Sequence, residues 1–182
     1  MNIINLKIFI GLLLFSFAVL SCSDNFLDRE PISDLAAENF FKTGADAESA
    51  LIAAYDAFQS EFYIFDRFTI GDVISDNCYA GGDNPNNFQL DEFTYNPTNT
   101  NIERDWAYLY EAISRANAVL ENVGSIDSPD LTEDRRNEIL GEASFLRAMH
   151  YFHLVNNWGG VPLITELVKS TSPEVVFQER SS

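Results

Sequence analysis

Gly141–Ile164 reads GEASFLRAMHYFHLVNNWGGVPLI, and the fold turns on it. With Ile139 and Leu140 in front of it, the residues Ala143, Phe145, Leu146, Ala148, Met149, Tyr151, Phe152, Leu154 and Val155 occupy nearly the whole circumference of a helix. A helix that is apolar all round must be covered on more than one side, which places it at the centre of a helical assembly. Asn157-Trp158-Gly159-Gly160-Val161-Pro162 supplies the glycines and proline that end a helix. Going back along the chain, the pattern extends to about Glu133. There Asp130 and Glu133 offer a capping pair after the linker SIDSPDLTED.

The preceding segment is cleaner still. Ile102, Trp106, Leu109, Ile113, Ala116, Leu120 and Val123 alternate steps of four and three, one apolar seam of a long helix. Gly124 is placed to end it in the left-handed conformation. Further back, Thr43-Gly44-Ala45-Asp46 is a capping signature, followed by Ala47, Leu51, Ala54, Tyr55 and Phe58 at helical spacing. Ala36–Phe41 has the pattern of a shorter helical turn. Between Asp66 and Asn101 periodicity fails: Gly81-Gly82-Asp83-Asn84-Pro85 and Asn96-Pro97 are turn chemistry, with aromatics spaced through. The fold class is therefore all-α, built of antiparallel helix pairs with a long irregular loop insertion.

The N-terminus has a different logic. Lys7 precedes an uncharged apolar run from Ile8 that ends Val19-Leu20-Ser21-Cys22, too short to span a bilayer and shaped like a lipoprotein signal. Residues 1–21 are then a signal peptide and Cys22 the acylated first residue of the chain 22–182, held in the membrane by its acyl chains. CSDNFLDREP reads as a tether that docks through Phe26 and Leu27. Without Lys7, 10 basic residues face 28 acidic ones, a formal charge of −18. Such a polyanion is unsuited to nucleic acid. Cys78 is the one remaining thiol, so no intramolecular disulfide can form, and a lone cysteine is commonly a small buried side chain.

Catalytic chemistry finds little support. His150 and His153 share a helix face with Glu142 two turns before, but the surroundings are apolar, which favours packed, hydrogen-bonded histidines over a metal site. Arg147 and Glu142 suit a structural ion pair. Asp72 with Asp76, and Asp91 with Glu92, are acidic pairs that nothing singles out as a glycosidase couple. No phosphate-cradling motif is present, and no cofactor is expected. Trp106 and Trp158 read as packing. The loop is the better ligand candidate: Asp76, Asn77, Tyr79, Asp83, Asn86, Asn87 and Phe88 combine aromatic faces with amide and carboxylate groups suited to hydroxyls.

Taken in order, SCSDNFLDREP, ENFFKTGADAESALIAAYDAF, IERDWAYLYEAISRANAVLENV and above all Gly141–Ile164 resemble the SusD/RagB family of outer-membrane lipoproteins. The resemblance implies tetratricopeptide-like helix pairs on the outer face of the outer membrane. It also implies a SusC-like TonB-dependent transporter as partner, and an oligosaccharide or peptide ligand delivered for uptake without catalysis. Family proteins are several hundred residues longer, so residues 22–182 are expected to be the N-terminal part of an incomplete domain, leaving apolar faces of the central helix uncovered. The rival expectation is a surface-anchored structural or adhesive helical protein with no small ligand.

Overall fold

The computed structural model describes residues 40–170, 172–173 and 178–181. The signal peptide, Cys22, the tether with Phe26 and Leu27, and residues 36–39 of the short turn lie outside the described residues. Phe41–Ser182 clusters as one unit. Its described residues hold α1 (Gly44–Tyr55), α2 (Pro85–Asp91), α3 (Thr100–Asn122) and α4 (Glu133–Trp158). Two π-helical turns, Phe62–Asp66 and Thr69–Val73, follow α1. The one strand-like feature among the described residues is an isolated bridge between Pro162 and Arg180.

The Thr43 capping box forms as its spacing predicts. The Thr43 hydroxyl accepts from the Asp46 N–H, and the Asp46 carboxylate accepts from the Thr43 N–H at 2.8 Å. The cap of α4 differs from expectation. Thr132, not Asp130, accepts from the N–H of Arg135. Asp130 instead receives the Gly44 N–H at 3.1 Å, a carboxylate at the positive end of α1. Gly124 does not take the left-handed conformation. The chain leaves α3 through a 3-10 turn, Val123–Ser125, that keeps Val123 and Ile126 buried. Gly159 does end α4 with φ of 71°.

α3 and α4 pack on each other and α1 packs on both. Ala47, Ala50 and Ala54 of α1 are buried, and small side chains let helices approach closely. Phe62 joins Leu109, Ile113, Leu154 and Val161 in the central cluster. The region between Asp66 and Asn101 is less irregular than its composition suggests, since it contains the second π turn and α2. Asn84 caps α2 by accepting from the Asn86 N–H, with Pro85 in the first turn. Part of the α4 circumference is left uncovered among the described residues. Ile139, Ala143, Leu146, His150 and Leu154 are buried, whereas Phe145 and Phe152 are 65% and 62% exposed.

Candidate functional site

α3 begins where four side-chain hydrogen bonds fasten α2 to it. The Asn99 amide donates to the Asn86 carbonyl and to Gln89 Oε1 while its Oδ1 caps α3. Asn86 Nδ2 donates to Thr100 Oγ1 at 2.8 Å, and Asn101 Nδ2 to Asn87 Oδ1 at 2.6 Å. Fixing these two ends together leaves a cleft of about 480 Å3 beside them. Ile70 of the second π turn, Ile74 just after it and Leu90 of α2 form its apolar wall. Tyr95, Asn96 and Pro97 supply the loop side, with Asn96 Oδ1 accepting from the Thr98 N–H. Ile102, Glu103 and Trp106 come from α3, Asn157 and Trp158 from the end of α4, and Arg180 closes the rim.

The aromatic geometry is fixed from behind. Trp106 meets Trp158 edge to face with ring centroids 5.5 Å apart, and Tyr110 lies 4.9 Å from Trp106. Arg180 stands 5.9 Å over the Trp106 ring and donates to the carbonyls of Trp158 and Gly160. An apolar cleft with aromatic faces and a few convergent amide, carboxylate and guanidinium groups suits a ligand that is partly apolar and rich in hydroxyls. Trp106 and Trp158 pack against the core cluster, as read, and also line the cleft. Sequence spacing signals only their place on α3 and α4, because the cleft is assembled from segments distant along the chain.

None of the seven loop residues lines this cleft. Asp76, Asn77, Tyr79 and Asp83 are exposed, Tyr79 at 78%, on chain that continues from the cleft-lining Ile74. Asn86, Asn87 and Phe88 are half-buried in α2, and the Asn86 and Asn87 amides each have one end engaged by α3. Cys78 is exposed, contrary to the expectation of a buried thiol. Asp91 accepts the Ala80 N–H at 3.1 Å, which pins the loop to α2.

The histidines are packed, as the apolar surroundings predict. His150 is wholly buried, and its Nδ1 lies 2.7 Å from the Tyr63 hydroxyl. Burial, and then His153 beside it, pushes His150 down to about 4. Glu142 does not pair with Arg147. Five residues apart, they lie on different faces, so Glu142 binds Arg135 and the Tyr55 hydroxyl while Arg147 donates to Asn117 Oδ1 and the Thr165 carbonyl. Behind the cleft wall, Asp66 is buried against Arg104 at 2.5 Å. Beside it Asp105 is wholly buried, and burial, then the Asp66 carboxylate, pushes it up to about 8. Among the described residues no cluster of three or more metal-ligating side chains forms, and no helix is long and apolar enough to cross a membrane.

Residues 25–182 match the SusD-like family described as starch-binding and associating with the outer membrane. A SusD-like protein of Formosa agariphila is 36% identical over 173 residues, 94% of this chain and 33% of its own length. A second from the same organism is 30% identical over 167 residues, 90% of this chain and 32% of its own. A SusD-like protein of Bacteroides ovatus is 25% identical over 146 residues, covering 80% of this chain and 26% of its own length. The chain thus spans about a third of the length of the first two relatives. No solved structure matches it.

Proposed function

The chain belongs to the SusD-like family, and from that premise we propose that it is a non-enzymatic binding protein of the cell surface. It takes up glycan, or peptide, nutrients and passes them to a SusC-like TonB-dependent transporter. Cys22 is the acylated residue that anchors it to the outer face of the outer membrane. The supporting observation is the cleft lined by Trp106, Trp158 and Tyr95 together with Glu103, Asn96 and Asn157. Aromatic rings stack on the C–H faces of sugars, and the polar groups bind hydroxyls. Asp76, Asn77, Tyr79, Asp83, Asn86, Asn87 and Phe88, on the chain that follows Ile74, are further ligand contacts in this proposal.

Malto-oligosaccharides are the first probe, since the matching family is described as starch-binding. The chain's two tryptophans both line the cleft, so ligand entry is read directly in their emission. Saturable quenching by a malto-oligosaccharide, weakened at least tenfold in Trp106→Ala, supports the reading. Quenching that Trp106→Ala leaves unchanged places the ligand elsewhere. Absence of binding to glycans and peptides alike favours the structural or adhesive alternative.

A further inference from the structure

We propose that Asp66 and Asp105 share one proton, and that this proton holds the π-turn wall of the cleft against α3. They are positioning residues for the cleft, and losing the proton opens it. The consequence for affinity rests on the cleft being the binding site. The proton-sharing itself does not.

The starting point is an accounting failure among buried atoms. Asp105 is 0% exposed, and with its carboxylate ionised neither oxygen has a hydrogen-bond partner. Asp66 is 1% exposed; one of its oxygens receives Arg104 Nη2, and the other has none. Buried anions without donors are among the most costly arrangements in a protein interior. The charged neighbours of Asp105 are Asp66, Arg104 and Glu61, so three carboxylates stand against one guanidinium. A single proton removes the conflict. An O–H on Asp105 donates to the Asp66 carboxylate, giving Asp66 its second donor and leaving one buried anion opposite Arg104. Two like charges in contact cannot both remain ionised at low cost, as the displacement of Asp105 toward higher pH reflects.

The pair joins the two walls of the cleft. Asp66 ends the first π turn, and Ile70 of the second lines the cleft one turn later. Asp105 immediately precedes Trp106 on α3. With the proton present, Asp66 is tied to α3 twice, through Asp105 and through Arg104. With the proton released to solvent, the first tie becomes a repulsion between the Ile70 wall and the Trp106 wall.

Tryptophan emission without ligand tests this, because both tryptophans line the cleft. In the wild type the emission shifts to longer wavelength as pH rises through a one-proton transition centred at about 8. In Asp105→Asn the amide donates at every pH and carries no charge, so the shift disappears. Glu61→Gln removes a nearby anion and moves the midpoint to lower pH, which decides the matter if Asp105→Asn does not fold. A wild type without the transition, a transition that persists in Asp105→Asn, or a midpoint unmoved in Glu61→Gln overturns the proposal. A chain that shows the transition but binds no oligosaccharide keeps the shared proton and loses the binding reading. One that binds without the transition does the reverse.

Discussion

Replacing Gly44 by alanine should destabilise the protein, although alanine is the better helix former. Gly44 is the first residue of α1 and is buried against the Asp130 turn. A Cβ there would stand 2.9 Å from the Asp130 carbonyl oxygen, 3.0 Å from its carbon and 3.1 Å from Oδ2. The first two are backbone atoms and cannot swing aside. Ordinary contact begins near 3.4 Å, so the turn must retreat by about half an ångström. That motion loosens the bonds from the Gly44 N–H to the Asp130 carboxylate and disturbs buried Leu131. Overpacking of this kind costs about 1–3 kcal/mol, and the weakened charge-assisted bond adds to it. The helix-propensity gain offsets at most about 1 kcal/mol. Gly141 is the internal control, exposed in the middle of α4 with nothing within 4 Å of an added Cβ. Gly141→Ala should therefore stabilise by roughly 0.5–1 kcal/mol. Urea unfolding reads both, and with a slope of about 2 kcal/mol per molar the two midpoints should move in opposite directions by several tenths of a molar or more. A Gly44→Ala midpoint at or above wild type would refute the reasoning.

Stability against pH should carry two opposed slopes. His150 is held neutral with its value pushed down to about 4, so its contribution is complete above the ordinary 6.5 and is lost as pH falls through that interval. Asp105 is held protonated up to about 8, so its contribution is complete below 3.8 and is lost as pH rises. Each slope is about 1.4 kcal/mol per pH unit. They oppose each other between 4 and 6.5, and from there to 8 only the loss from Asp105 remains. Urea midpoints should decline over that upper interval in the wild type and stay level in Asp105→Asn; a decline in both would sink the assignment. At the N-terminus, Cys22→Ala should abolish fatty-acid labelling and release the protein from membranes. Labelling that survives the substitution would remove the anchor.

The long seams were legible because a spacing of three and four over many turns leaves no competing period. Ile102 to Leu120 lies on α3 as read, with Val123 buried in the 3-10 turn that follows, and the Thr43 box caps α1. Sequence and structure part where one local signal has two physical uses. Asp130 and Thr132 both suit a cap, and Asp130 is drawn to Gly44, 86 residues away, a contact no local pattern announces. The Asn84-Pro85 pair has the composition of a turn, yet a capping side chain followed by proline also opens a helix. With seven residues α2 is too short for periodicity to show. The cleft was illegible for a different reason. Its walls come from the second π turn, α2, the following loop, α3, the end of α4 and Arg180, and only packing brings these together.

The stretch that decides the fold shows why one helix needs apolar character almost all round. Leu146, His150 and Leu154 point into the core. Turned from them, Arg147 and Tyr151 serve the chain that follows the helix. Arg147 donates to the Thr165 carbonyl, and the Tyr151 hydroxyl both donates to the Ile164 carbonyl and accepts its N–H. Asn117 and Tyr110 of α3 add bonds to the carbonyls of Ile164, Glu166 and Pro162. An extended segment packed on two helices has no secondary structure to satisfy its backbone, so side chains must do it. These bonds carry the chain past Gly159 and set Trp158 edge-on to Trp106 at the cleft. The remaining face, with Phe145, Ala148, Phe152 and Val155 in steps of three, four and three, is open. One face therefore builds the core, a second holds the exit strap that places the cleft's tryptophan, and the third is left as exposed apolar surface. Circumferential apolarity in the sequence records three separate duties of α4, of which burial is only the first.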